Sequence, residues 1–137
     1  MDVNPYLMFN GRCEEALEFY QSAVGATDVH LIRFSEGPPG AGGPGPRPPA
    51  DKIMHANFRI GDTTILASDG ECGGTTRFDG FSLSINAASD AEAKRLFDAL
   101  AKGGQVRMPL AKTFWTSSFG MLTDKFGVGW MVSVEHK

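Results

Sequence analysis

The chain has 137 residues, 42% of them hydrophobic, with a formal net charge of −3 and a pI near 5.5. That length suits one ordinary domain or two half-size modules sharing a core, and an acidic balance with no basic cluster argues against nucleic acid as a partner. No apolar run of about 18 residues is present to cross a membrane and no basic-then-apolar leader opens the chain, so a cytoplasmic protein without a membrane partner is expected.

Residues 4–10 read as a first strand, with Leu7 and Phe9 on one face and Tyr6 and Met8 on the other. Asn10-Gly11 breaks it. Cys13, Ala16, Leu17, Tyr20 and Val24 then recur at helical spacing, opposite Glu14, Glu15 and Glu18, and Gly25 ends the helix. Residues 27–35 form a second strand, apolar in part on both faces. The stretch 37–50 holds six of the eight prolines and five of the seventeen glycines. Such a composition supports neither helix nor sheet and reads as a surface loop, either a lid over a pocket or a solvated insertion.

Residues 53–60 give a third strand, with Ala56, Phe58 and Ile60 against one layer and His55, Asn57 and Arg59 on the other side. Gly61-Asp62 turns it into a fourth strand ending at Asp69. The glycine-rich residues 70–74 form a natural boundary. The order then repeats. Residues 81–86 alternate, with Phe81, Leu83 and Ile85 inward. Ser89 with Glu92 forms a capping box before a helix carrying Ala93, Leu96, Phe97, Leu100 and Ala101. Residues 105–112 read as a strand broken at Pro109. Residues 119–123, the type I turn 124–127 and residues 130–135 close the chain as a hairpin, with Trp130, Val132 and Val134 on its dry face.

The fold class expected is therefore α+β, built as βαβββ twice: a first module at 1–74, including the loop, and a second at 78–137. One helix covers the outer face of each sheet. The other face carries Tyr6, Met8, Asn57, Ser82, Ser84, Met131 and Ser133. Two such sheets curled together would leave a cup, the default place for a ligand.

With Pro5-Tyr6-Leu7, Cys13-Glu14-Glu15-Ala16, Phe19-Tyr20, His55-Ala56-Asn57, Ser68-Asp69, Gly80-Phe81, Thr113-Phe114-Trp115, Phe119-Gly120, Thr123-Asp124-Lys125-Phe126-Gly127 and Trp130-Met131 in these positions, the chain resembles the PhnB-like proteins. These belong to the vicinal-oxygen-chelate superfamily, with glyoxalase I, extradiol dioxygenases, and fosfomycin- and bleomycin-resistance proteins. The resemblance spans nearly the whole chain outside the Pro/Gly loop, as a single domain over 1–137, and implies a homodimer. Exposed sheet edges give a physical reason for self-pairing. Members of the family often carry a methyltransferase label, but no glycine-rich strand-to-helix turn suited to S-adenosylmethionine is present.

The superfamily's metalloenzymes hold a divalent metal on His, Gln or Glu. The corresponding positions here fall near Pro5 or Tyr6, on Ser82 and Ser84, and on Met131, which are poor ligands for Mg, Mn, Zn or Fe(II). No cofactor is expected from these positions, and a divalent metal remains as the alternative. His55 is the candidate general base and Asp69 its candidate partner; the competing readings are a structural histidine and a turn-capping aspartate. Tyr6, Asn57, Arg59, Trp115 and Met131 are the candidate ligand contacts, Arg59 as an attractor of an anionic group and Trp115 as a stacking surface. Phe119 and Phe114 read more naturally as packing residues. Glu135 and His136 could chelate but sit in the last few residues. Cys13 and Cys72 lack metal-type spacing and read as free thiols; Cys72 has no flanking base to activate it. Three functions follow: a binding protein for a small organic molecule, a metal-dependent lyase, isomerase or dioxygenase built around His55, or an accessory subunit of a metabolic complex.

Overall fold

The computed structural model describes residues 1–37, 48–70 and 77–134, which fall into two compact units, Met1–Thr76 and Arg77–Lys137. Most of the Pro/Gly stretch, Cys72, Glu135 and His136 lie outside the described residues.

The first unit runs β1 (Tyr6–Met8), α1 (Cys13–Val24), β2 (Thr27–Arg33), a 3₁₀ turn (Phe34–Glu36), β3 (Ile53–Ile60) and β4 (Thr63–Ser68). The second runs β5 (Leu83–Ala87), α2 (Asp90–Ala101), β6 (Gln105–Ala111), β7 (Phe119–Thr123) and β8 (Gly129–Val134). The sheet orders are β1-β4-β3-β2 and β5-β8-β7-β6, the same topology twice. In each, the first strand pairs in parallel with the last and the remaining pairs are antiparallel. The chain is thus α+β with two βαβββ modules. No helix among the described residues is long and apolar enough to cross a membrane.

Period-2 alternation decides which face each helix covers. Leu7, Ala56, Phe58, Ile65 and Ala67 are buried on the α1 side with Ala16, Leu17 and Tyr20, and the Tyr20 and Phe58 rings stack at 6.0 Å. In the second unit Leu122, Trp130 and Val132 are buried with Ala93, Leu96, Phe97 and Leu100 of α2. Each fully buried large side chain contributes roughly 1.5–3 kcal/mol. Gly120 has a packing role: a Cβ there would lie 2.7 Å from the Phe97 ring. Phe81 departs from expectation. It precedes β5 rather than opening it, and it is 48% exposed, so the inward row is Leu83, Ile85 and Ala87.

The two helices start differently. Ser89 caps α2 as expected, its hydroxyl accepting from the Glu92 amide at 3.1 Å. No side chain next to α1 caps it. Asp69, from the end of β4, does so across the fold, with Oδ1 accepting from the Gly11 amide at 2.8 Å and the Cys13 amide at 2.7 Å. At its other end α1 closes on Gly25 at φ +69°, which lets the Ala26 amide reach the Tyr20 carbonyl at 3.2 Å.

Candidate functional site

Each sheet leaves one face without a helix. In the first unit this face carries Tyr6 and Met8 from β1, His55, Asn57 and Arg59 from β3, and His30 and Ile32 from β2, where His30 lies opposite Asn57 and Ile32 opposite His55. Tyr6, Met8 and Ile32 are exposed apolar side chains. The Tyr6 hydroxyl and His55 Nδ1 are 3.1 Å apart, with the rings tilted at 50°. Partial burial, and then the Cys13 thiol, hold the Tyr6 phenol above its ordinary range. Tyr6 therefore keeps its proton, and its hydroxyl can donate to Nδ1 or accept from it according to the His55 tautomer.

Asp69 is not the partner of His55. Besides the two amides at the start of α1, it accepts from the Ile53 amide at 2.8 Å through Oδ2. It is 1% exposed, and both its oxygens are committed to backbone. Arg59 is also engaged, lying 3.6 Å from Asp28 and 3.5 Å from Asp62. Its expected role as an anion attractor is taken up by two surface carboxylates. Cys13, wholly buried beside Asp69, has its thiol pushed up to about 12 by burial and by the charges of Asp69 and Glu14, so it is inert as a nucleophile.

In the second unit the helix-free face carries Ser84 and Asn86 of β5, Phe119, Met121 and Thr123 of β7, and Met131 and Ser133 of β8. Strand register sets Met108, Met121 and Met131 side by side across β6, β7 and β8. Over the last two lies a cleft of about 550 Å³, walled by Phe78, Phe81, Ser82 and Arg107. Gly80, Gly127 and Gly129 line it too, so no side chain from them fills the space. Phe78 and Phe81 meet edge-on at 6.5 Å. Arg107 Nη1 lies 3.4 Å from the Thr123 hydroxyl, and among the described residues it makes no ion pair.

Trp115 lies on the β6–β7 connection, 45% exposed, edge-on to Phe114 at 4.8 Å and to Phe119 at 5.3 Å. Phe114 is 97% exposed rather than packed. The connection is tied down by its hydroxyls: Thr116 donates to the Val134 carbonyl at 2.9 Å, and Ser117 and Ser118 donate to Asp90 at 2.6 and 2.7 Å. Those two bonds hold the Asp90 carboxyl below its ordinary value. Trp130 is a core residue whose indole N–H donates to the buried Asp124 at 2.9 Å.

Residues 1–133 match the family described as 3-demethylubiquinone-9 3-methyltransferase. The chain belongs to this family. It is 44% identical to the protein PA1353 from Pseudomonas aeruginosa, whose crystal structure it matches with a TM-score of 0.85 over 100% of this chain and 99% of that one. It is 39% identical to the protein YjdN of Escherichia coli K12, over 98% of this chain and 95% of that protein. The PhnB protein from Bacillus cereus is 26% identical, with a TM-score of 0.77 over 98% and 100% of the two chains. Solved structures of a glyoxalase-related enzyme and a fosfomycin-resistance protein, 17% and 12% identical, share the fold. The chain is thus PhnB-like, with the fold of the glyoxalase-related and fosfomycin-resistance proteins.

Membership of this family raises two groups, S-adenosylmethionine and a divalent metal. A methyltransferase needs a cradle for S-adenosylmethionine, usually an open helix N-terminus after a glycine-rich turn of a doubly wound sheet. Neither described sheet is doubly wound, the free amides before α1 are bound by Asp69, and the N-terminus of α2 is capped by Ser89. The described residues do not fit that cofactor. A divalent metal needs several converging imidazole or carboxylate groups. Among the described residues no three His, Cys, Asp or Glu side chains converge. The helix-free face of the second sheet offers thioethers, hydroxyls and an amide, which are poor ligands for such a metal.

Of the expected ligand contacts, Tyr6 and Asn57 lie on the helix-free face of the first sheet and Met131 on that of the second. Met121, Phe78 and Arg107 were not legible as site residues. Met121 shares its parity with Met131 across the hairpin, which is the signal that could have found it. Arg107 falls at the register shift between Val106 and Met108 in β6, so simple alternation does not place it.

Proposed function

We propose that this PhnB-like protein binds a small organic molecule on the helix-free face of its second sheet, through side chains rather than a metal tetrad. The observation that carries this reading is the cleft over Met121 and Met131. Its volume falls within the range of about 300–1,000 Å³ that small-molecule sites occupy. Thioethers are polarisable and adapt to irregular apolar shapes, and the Phe78–Phe81 pair adds an aromatic wall.

The six methionines supply the test. With ¹³C-methyl methionine, fragments that bind are expected to shift the Met121 and Met131 methyl signals and leave Met54 unmoved. A chemically diverse library that moves neither methyl at millimolar concentration defeats the proposal.

A second reading rests on the Tyr6–His55 hydrogen bond. On that reading the first sheet's face carries out proton transfer, with His55 as the base and Tyr6 as its hydrogen-bond partner. His55→Gln and Tyr6→Phe would then both lower turnover of a substrate while leaving the fold intact. Equal turnover in all three proteins would remove it.

A further inference from the structure

The cleft proposed above as the binding site carries an asymmetry that bears on what it binds. Its floor and one wall are apolar: Met121, Met131, Phe78 and Phe81. Two charged side chains also line it, Arg107 and Asp79. They are not equivalent. Asp79 lies 3.2 Å from the Arg77 guanidinium, so its charge is met at the surface by a neighbour that does not line the cleft. Among the described residues, Arg107 has the neutral Thr123 hydroxyl as its hydrogen-bond partner and no carboxylate in ion-pair contact. Thr123 lines the same cleft. The hydroxyl at 3.4 Å orients one edge of the guanidinium fork without neutralising it, which leaves the remaining N–H donors for a planar, two-oxygen acceptor.

A cleft with an apolar floor, an aromatic wall and one uncompensated guanidinium at its side is complementary to an amphipathic anion. We infer that the ligand of this PhnB-like protein is an organic carboxylate, its carboxylate group paired with Arg107 and its apolar body lying over Met121 and Met131 against Phe81. The inference rests on the reading that the second sheet's cleft is the binding site, and it adds the chemical class of the ligand. Arginine suits this role because its fork matches a carboxylate in a bidentate pair, a geometry that lysine does not reproduce.

The test uses a matched pair of probes, 4-phenylbutanoate and the neutral 4-phenylbutanamide, titrated against the ¹³C-methyl methionine protein. The two differ in charge and share the apolar body. In the wild type the carboxylate is expected to move the Met121 and Met131 methyls and to bind about tenfold tighter than the amide, less at high salt. In Arg107→Gln that preference should fall to about onefold, chiefly through weaker binding of the acid. Arg107 is solvent-exposed, so this variant keeps the fold, and its unchanged amide spectrum confirms it. Arg107→Lys should recover only part of the preference.

Equal binding of acid and amide at those two methyls overturns the carboxylate inference and leaves the cleft as the site. The same holds if Arg107→Gln retains the preference for the acid. If neither probe moves Met121 or Met131, the carboxylate inference falls, and the diverse library then decides whether the cleft falls with it.

Discussion

Replacing Asp69 separates a structural carboxylate from a catalytic one. Its two oxygens accept from three backbone amides, those of Gly11, Cys13 and Ile53, at 2.7–2.8 Å, in a place only 1% exposed. Asp69→Asn keeps one oxygen for the start of α1 but turns an NH₂ towards the Ile53 N–H. One charge-assisted bond is lost and two donors face each other, at a cost of about 2–3 kcal/mol. Asp69→Ala strands all three donors and costs about 4–6 kcal/mol. That is a large share of the 5–15 kcal/mol that holds a typical domain together. For a chain of this length the Asn variant should melt roughly 6–10 °C lower.

The assay is urea unfolding followed by far-UV circular dichroism, because both tryptophans lie in the second unit and Asp69 lies in the first. Amide exchange at Gly11, Cys13 and Ile53 should speed up in both variants. An Asn variant as stable as the wild type, within about 0.5 kcal/mol, would refute the reasoning. If that stable variant also lost a measurable activity, Asp69 would return as a partner in chemistry.

Other perturbations follow from the same geometry. The Cys13 thiol is pushed from 9.0 up to about 12. The folded state holds its proton more tightly than the unfolded state, so its contribution is complete below about 9 and is lost as pH rises towards 12. The wild type should therefore lose stability across that window relative to Cys13→Ala, and Cys13 in the folded protein should resist thiol reagents at pH 8; equal pH profiles for the two proteins would contradict this. Replacing both Ser117 and Ser118 with alanine should raise the depressed Asp90 carboxyl towards its ordinary value, read from carboxyl ¹³C shifts against pH. Gly120→Ala presses a methyl against Phe97 and should cost about 1–3 kcal/mol in urea unfolding. S-adenosylmethionine at millimolar concentration should leave the amide spectrum unchanged, since both helix N-termini are already capped; saturable shifts at Gly11 or Cys13 would show otherwise.

What the sequence made legible was what depends on near neighbours. The alternation of 53–60 and of 119–123 gives β3 and β7 with their observed ends, and Ser89 with Glu92 marks the start of α2. Turn chemistry identified Asp124 as a turn opener, and its side chain does accept from the Phe126 and Val128 amides. Its further bond to the Trp130 indole needed the three-dimensional hairpin. The cap of α1 was hidden because its acceptor lies 56 residues from Cys13, beyond any local pattern. Arg59 read as an available cation for want of knowing that the turns bring Asp28 and Asp62 alongside it. Arg107 was passed over because irregular register in β6 breaks the simple rule for which face a residue takes. Phe81 misled in the opposite sense: a large apolar residue two positions ahead of a strand joins the alternating pattern but not the sheet.

The most direct measurement of the central claim is the electron density of crystals soaked with the carboxylate fragments that bind most tightly. The account predicts density over Met121 and Met131, with carboxylate oxygens within hydrogen-bonding distance of the Arg107 guanidinium. Density confined to the Tyr6–His55 face, with the Met121–Met131 cleft empty of fragment, would contradict it.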